Sequence, residues 1–135
     1  MTSASANDSP AGQRKTSLIF VVDDEPVLLE LAVSILSAAG YEVKSFADPS
    51  TAMRAFNAAN PRPDLVITDY AMGRLTGTDL IRECRRVQPS QKIILVSGTA
   101  DESVFANSPQ KPDRFMPKPY SPSELVKLVE TLLAS

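Results

Sequence analysis

Three apolar runs in this chain each end on a polar side chain. Leu18–Val22 (LIFVV) runs into Asp23 and Asp24, Leu65–Thr68 (LVIT) into Asp69, and Ile93–Val96 (IILV) into Ser97. A shorter stretch, Arg114–Met116, leads to Lys118 and Pro119. Continuous apolar runs are what strands buried on both faces of a parallel sheet require. Parallel strands of one sheet put their carboxyl ends on one edge, and open α/β sheets bind ligands along that edge. Three carboxylates, a hydroxyl and an ammonium would then converge.

The segments between the runs read as helices. Pro26–Ala39 carries Leu28, Leu31, Ile35 and Leu36 in a helical stripe, with Gly40 as its stop. Ser50–Ala59 places Ala52, Met53, Phe56 and Ala59 on one face, and Gly77–Val87 does so with Leu80, Ile81, Cys84 and Val87. Ser121–Leu133 has Ser121 as N-cap, Pro122 at the first helical position and Glu124 completing a capping box. Glu42–Phe46 alternates in polarity, as a half-exposed strand does.

This alternation predicts an α/β fold: a doubly wound five-stranded parallel sheet with helices on both faces. The three continuous runs are its interior strands, and Glu42–Phe46 and Arg114–Met116 its edges. In chain order the strands then lie 2-1-3-4-5, with the switch point between the first and third. Asp23, Asp24 and Asp69 flank that crevice. Within Asp101–Pro112 only Val104 and Phe105 are large and apolar, and Pro109 and Pro112 interrupt the pattern, so the fourth helix is expected to be short. Residues 1–16, rich in Ser, Ala and Asn, read as a disordered tail, and residues 17–135 as one domain.

Composition narrows the function. Net charge is −2 and the basic residues do not cluster, which argues against direct nucleic-acid binding. No apolar stretch approaches the roughly 20 residues that span a bilayer, and the N-terminus lacks the apolar core of a signal peptide. The lone Cys84 can form no intrachain disulfide. Together these favour the cytoplasm. The chain contains no histidine, so a phosphoryl group arriving through histidine must come from another protein.

Three neighbouring carboxylates repel one another and raise one another's pKa, a cost that a cation relieves. Mg²⁺ suits such a set, because it prefers oxygen and binds one or two carboxylates together with phosphate oxygens. A carboxylate can also serve as the nucleophile of phosphoryl transfer, giving an aspartyl phosphate. Lys118 would place positive charge on the phosphoryl oxygens and Ser97 would offer a hydroxyl donor. Singly, each residue has a plainer use. Asp24 or Glu25 would cap the helix begun by Pro26, Asp69 and Lys118-Pro119 would serve turns, and Ser97 would be an ordinary strand-end hydroxyl. The functional reading rests on four polar endings falling at one edge.

From about Leu18 to Ala134 the chain resembles a response-regulator receiver domain of two-component signalling. The resemblance is carried by the pair Asp23-Asp24, by LVITDYAM around Asp69, by LVSGTA around Ser97 and by MPKPYSPSEL around Lys118. It implies a flavodoxin-like fold and a phosphorylation switch whose donor is a sensor histidine kinase or a histidine phosphotransfer protein. Asp69 matches the phosphoryl acceptor. Asp24 matches the direct Mg²⁺ ligand, Asp23 acts mainly through a bound water, and the backbone carbonyl of Ala71 is the third protein ligand. Ser97 matches the switch hydroxyl, Phe115 the aromatic whose rotamer follows it, and Lys118–Pro119 a cis peptide. The resemblance further implies self-catalysed phosphorylation and slow dephosphorylation without turnover of a separate substrate. After the last predicted helix only Ala134 and Ser135 remain, so no attached output domain is expected.

The sequence departs from the family at Met72-Gly73, where Met-Pro is usual, and Gly73 is expected to loosen the loop after Asp69. The resemblance implies that the side chains two residues beyond the acceptor and beyond the switch hydroxyl, here Ala71 and Thr99, tune attack by water. Ala71 cannot hold an attacking water, so slow intrinsic dephosphorylation is expected. The competing reading is a receiver-like module that is never phosphorylated and acts as a constitutive binding surface. A haloacid-dehalogenase-type phosphatase needs a second Asp two residues after its nucleophile, where this chain has Ala71. Flavin binding needs a phosphate-cradling loop where Asp23-Asp24-Glu25 would repel phosphate.

Overall fold

The computed structural model describes residues 16–98 and 110–135. Five strands form one parallel sheet: β1 (Leu18–Val22), β2 (Glu42–Phe46), β3 (Leu65–Asp69), β6 (Ile93–Ser97) and β7 (Arg114–Pro117), in the order β2-β1-β3-β6-β7. This is the predicted doubly wound order. β1, β3 and β6 are interior, and the alternating β2 and the short β7 are the edges. The pair β4 (Ala71–Met72) and β5 (Leu75–Thr76) forms a small antiparallel hairpin that no sequence pattern announced.

Period-two alternation along each interior strand divides the core between two faces. Ile19 and Val21, Leu65 and Ile67, and Ile94 and Val96 point to one face, where they meet α1 (Pro26–Ala38) and α4 (Pro122–Ala134). Phe20 and Val22, Val66, and Ile93 and Leu95 point to the other, against α2 (Pro49–Ala58) and α3 (Gly77–Val87). Burying each such Leu, Ile or Phe contributes about 1.5–3 kcal/mol, and it is the alternation that pins the register of these strands.

Local chemistry sets the helix ends. Asp48 caps α2 by accepting the Thr51 N–H at 2.9 Å. Thr76 and Asp79 form a capping box on α3, and Ser121 and Glu124 form the predicted one on α4. Each such cap is worth about 1 kcal/mol. Gly40, at φ +99°, turns the chain out of α1 as expected.

Two details differ from the sequence reading. The stripe expected on α1 through Leu28, Leu31, Ile35 and Leu36 holds in its second half, where Leu36 is buried and Ile35 packs against the core, but in the first half the buried residues are Leu29 and Ala32. Small Ala32 lets that face sit close to the sheet, and Val27 and Leu31 are left 77% and 50% exposed. Gly73, expected to loosen its loop, stands at φ +74° in the two-residue turn between β4 and β5. Its freedom there closes a hairpin, a conformation other residues rarely adopt. The tail expected over residues 1–16 lies outside the described residues as far as residue 15, and the short fourth helix expected within Asp101–Pro112 lies outside them as far as residue 109. Among the described residues no helix is long and apolar enough to cross a membrane.

Candidate functional site

The carboxyl ends of β1, β3, β6 and β7 deliver the polar groups to one edge. Parallel register sets β1 Val22 beside β3 Thr68, Asp69 beside β6 Val96, and Ser97 beside β7 Pro117. Backbone bonds then carry the chain past the strand ends. Asp23 N–H donates to Phe46 O at 3.1 Å, Tyr70 N–H to Val96 O at 2.8 Å and Lys118 N–H to Ser97 O at 2.8 Å. Lys118–Pro119 is cis, as expected, and so is Asn60–Pro61.

Asp23, Asp24 and Asp69 converge, with one carboxylate oxygen of each lying within 4.8 Å of the others. Asp23 and Asp69 are buried and Asp24 is exposed. Lys118 joins them from β7: its Nζ is 3.2 Å from Asp23 Oδ2 and 3.2 Å from Asp69 Oδ1. Glu25 N–H donates to the other Asp23 oxygen at 2.9 Å. Glu25 is the N-cap of α1 but makes no capping bond with its side chain.

Electrostatics follow from this packing. Burial raises the pKa of Asp69, and nearby Asp23 adds to the rise while Lys118 opposes it. For Lys118, burial pulls the pKa down, but the Asp23 and Asp69 charges together outweigh it and the net shift is upward. The ammonium is therefore firmly charged. Three hard oxygen donors open to solvent on the Asp24 side, backed by a fixed cation, are a donor set that fits Mg²⁺.

The other predicted positions fall at the same edge. Ser97 ends β6 and is 2% exposed. Ala71 lies exposed in β4, opposite Thr76. Phe115 is half-buried on β7 and packs with the core on the α2–α3 face.

Three neighbours escaped the sequence reading. A Cβ added to Gly77 would lie 2.6 Å from Asp69 O and 2.5 Å from Leu95 Cδ1, so only glycine lets α3 begin this close to the end of β3. Glycine at a first helical position, at about 1 kcal/mol below alanine, was the available signal. Thr68, fully buried, donates its hydroxyl to Asp69 O at 3.0 Å. It was visible as a lone hydroxyl in an apolar run. Tyr120 lines an apolar recess of about 360 Å³ together with Leu28, Leu31, Gly98, Lys118 and Pro119. Burial raises its pKa, opposed by Lys118 and reinforced by Asp23 and Asp69.

Known proteins share this architecture. A response regulator receiver domain protein from Methanospirillum hungatei superposes with a TM-score of 0.81 at 26% identity, covering 89% of this chain and 95% of that one. TrrA from Thermotoga maritima, solved in complex with Mg²⁺ and BeF, gives a TM-score of 0.75 at 29% identity over 87% of this chain and 99% of that one. Among curated relatives, sensor kinase CckA of Brucella abortus is 30% identical over 87% of this chain and 13% of its own length. Chemotaxis protein CheY of Thermotoga maritima is 28% identical over 81% of this chain and 91% of its own. The probable transcriptional regulatory protein TcrX of Mycobacterium tuberculosis is 32% identical over 85% of this chain. The chain spans 13% of CckA and 49% of TcrX, the first two curated relatives. Residues 19–130 match the response regulator receiver domain, and the chain belongs to that family.

Proposed function

We propose that this receiver domain is a phosphorylation switch that takes a phosphoryl group onto Asp69 from a phosphohistidine of a sensor histidine kinase or histidine phosphotransfer protein. The observation that carries the reading is the Lys118 ammonium held against Asp69 beside two further carboxylates. An Asp69 oxygen attacks phosphorus, the P–N bond to the donor imidazole breaks, and its electron pair stays on that nitrogen, which takes a proton from solvent. Lys118 sits where it can pair with the phosphoryl oxygens, and Ser97 offers its hydroxyl from the end of β6.

Asp23, Asp24, Asp69 and the Ala71 carbonyl are the groups that would hold Mg²⁺. The bound ion would neutralise the carboxylates and the phosphoryl oxygens. The domain promotes its own phosphorylation and slow dephosphorylation and turns over no separate substrate. A phosphoryl group adds roughly −1.5 to −2 charge, enough to bias the surface around Ser97 and Phe115. The reading carries with it a cytoplasmic location.

A protein donor is supported by the exposed apolar face of α1. Val27 and Leu31 stand one turn apart, and Leu28 and Leu31 line the recess that reaches Lys118. The test is intact mass after incubation with acetyl phosphate and with a phosphorylated histidine donor, with and without Mg²⁺. Gain of one phosphoryl group that requires Mg²⁺ and is lost in Asp69→Asn supports the switch. No gain from either donor supports a constitutive binding module.

A further inference from the structure

Among the described residues the sheet ends on one side at β2, whose outer edge no strand covers. Glu42 N–H donates to Ser17 O at 3.0 Å, and Phe46 O accepts the Asp23 N–H at 3.1 Å. Backbone groups of successive residues turn to opposite edges of a strand. Glu42, Lys44 and Phe46 therefore bond inward to β1, and Val43 and Ser45 turn their N–H and C=O groups outward. Side chains alternate between faces. Val43 packs with the core under α1 and α4, and Phe46 with the core under α2 and α3, the side that Glu42 and Lys44 share. Both charged side chains are exposed, and neither makes an ion pair among the described residues. Open grooves border both faces of this edge, one of about 460 Å³ at Ser45 and Val33 and one of about 370 Å³ at Lys44 and Arg62.

We propose that β2 is a self-association edge, pairing antiparallel with β2 of a second copy of this chain about a two-fold axis at Val43. In that register the Val43 residues of the two copies exchange their backbone bonds, and Ser45 N–H meets the Tyr41 carbonyl. Glu42 of each copy then stands opposite Lys44 of the other, on the same face of the joined sheet. Opposite charges directly across a strand pair stabilise it, and like charges oppose it. Neighbouring registers lack this match. An axis at Lys44 sets the lysine against its own copy, an axis at Glu42 does the same to the carboxylate, and an axis at Ser45 sets Lys44 against Phe46.

Edge charges ordinarily keep sheets apart. Here the sign reverses across Glu42-Val43-Lys44, so the same charges admit one partner in one register. Exposed ion pairs contribute little affinity; the backbone bonds hold the copies together and the charges choose the register. Antiparallel pairing turns the carboxyl edges of the two sheets to opposite ends, so neither acceptor edge is covered. The association is independent of the proposed phosphorylation.

Sedimentation equilibrium of the full chain tests the pairing, with wild type, Glu42→Lys, Lys44→Glu and the double variant that carries both. Wild type should dimerise reversibly. By symmetry each single variant sets like charges across the pair at both of its ends, and should weaken dimerisation at least about tenfold. The double variant restores the opposition with the signs exchanged and should recover wild-type association. Wild type that stays monomeric at about 1 mM, single variants that dimerise as wild type does, or a double variant no better than the singles would each overturn the inference. A second measurement needs no variant. The Val43 and Ser45 amides should exchange with deuterium several-fold more slowly in concentrated than in dilute protein, while those of Glu42 and Lys44, already bonded to β1, should not change. Exchange at Val43 that is indifferent to concentration contradicts the pairing.

Discussion

Lys118 Nζ lies 3.2 Å from Asp69 Oδ1, although β7, which Lys118 follows, and β3, which Asp69 ends, are separated in the sheet by β6. The lysine therefore reaches across the end of β6, over Ser97, to meet the carboxylate. That contact closes the site on one side and leaves Asp24 open to solvent on the other. It also explains why burial does not leave Asp69 wholly uncompensated.

The compensation is incomplete, because burial still holds the Asp69 pKa above its ordinary value. In the unfolded chain the carboxyl titrates at that ordinary value, so the folded state binds the proton more tightly. The cost of burying the charge is thus present in full above the raised pKa and is relieved as pH falls through it. Asp69→Asn should raise the melting temperature by a few degrees at pH 7. The gain should shrink as the wild-type carboxyl protonates at lower pH. Thermal melts across that range check both; a less stable variant at pH 7 would mean that the Lys118 pairing outweighs the burial.

Gly77 should tolerate no side chain. Alanine gains about 1 kcal/mol of helix propensity, but its Cβ would lie 2.6 Å from the Asp69 carbonyl oxygen, a backbone atom that cannot step aside. Gly77→Ala is expected to lose about 1–3 kcal/mol on balance and to slow phosphorylation by shifting the acceptor. Urea denaturation alongside the acetyl phosphate rate tests this, and unchanged values for both would refute it.

The apolar face of α1 should matter to a protein donor and not to a small one. Val27→Asp with Leu31→Asp leaves the core intact, since both side chains are exposed. Transfer from a phosphohistidine protein should fall at least about tenfold, equivalent to 1.4 kcal/mol. The rate with acetyl phosphate should hold. Equal losses with both donors would place the effect in the site itself.

Ala71 lies exposed two residues beyond the acceptor and offers no hydrogen bond to water from its methyl group. Ala71→Asn should shorten the lifetime of the phosphorylated form several-fold, measured by its decay after removal of the donor. An unchanged lifetime would remove the side chain at this position from control of hydrolysis.

Much of this molecule was legible in the order of its residues, for identifiable reasons. β1, β3 and β6 are buried on both faces, so each wrote itself as an unbroken apolar run, and the polar residue that stopped each run marked the functional edge. The capping box of α4 was equally plain. What escaped depends on relations between segments. The β4–β5 hairpin has two residues per strand, too few for any periodicity. On the first half of α1 the buried residues are Leu29 and Ala32, where larger Leu28 and Leu31 had suggested another face. Gly77 matters because Asp69 and Leu95 crowd it, and Tyr120 because it shares a recess with Leu28 and Leu31, none of them adjacent in sequence.

The central claim is that the phosphoryl group lodges on Asp69, and borohydride trapping tests it most directly. Reduction of an aspartyl phosphate leaves homoserine at the modified position. Protein treated with donor and Mg²⁺, reduced and digested, should show homoserine at residue 69 by tandem mass spectrometry, and none when Mg²⁺ is withheld. Homoserine at residue 23 or 24, or phosphate retained on Ser97, would contradict the account.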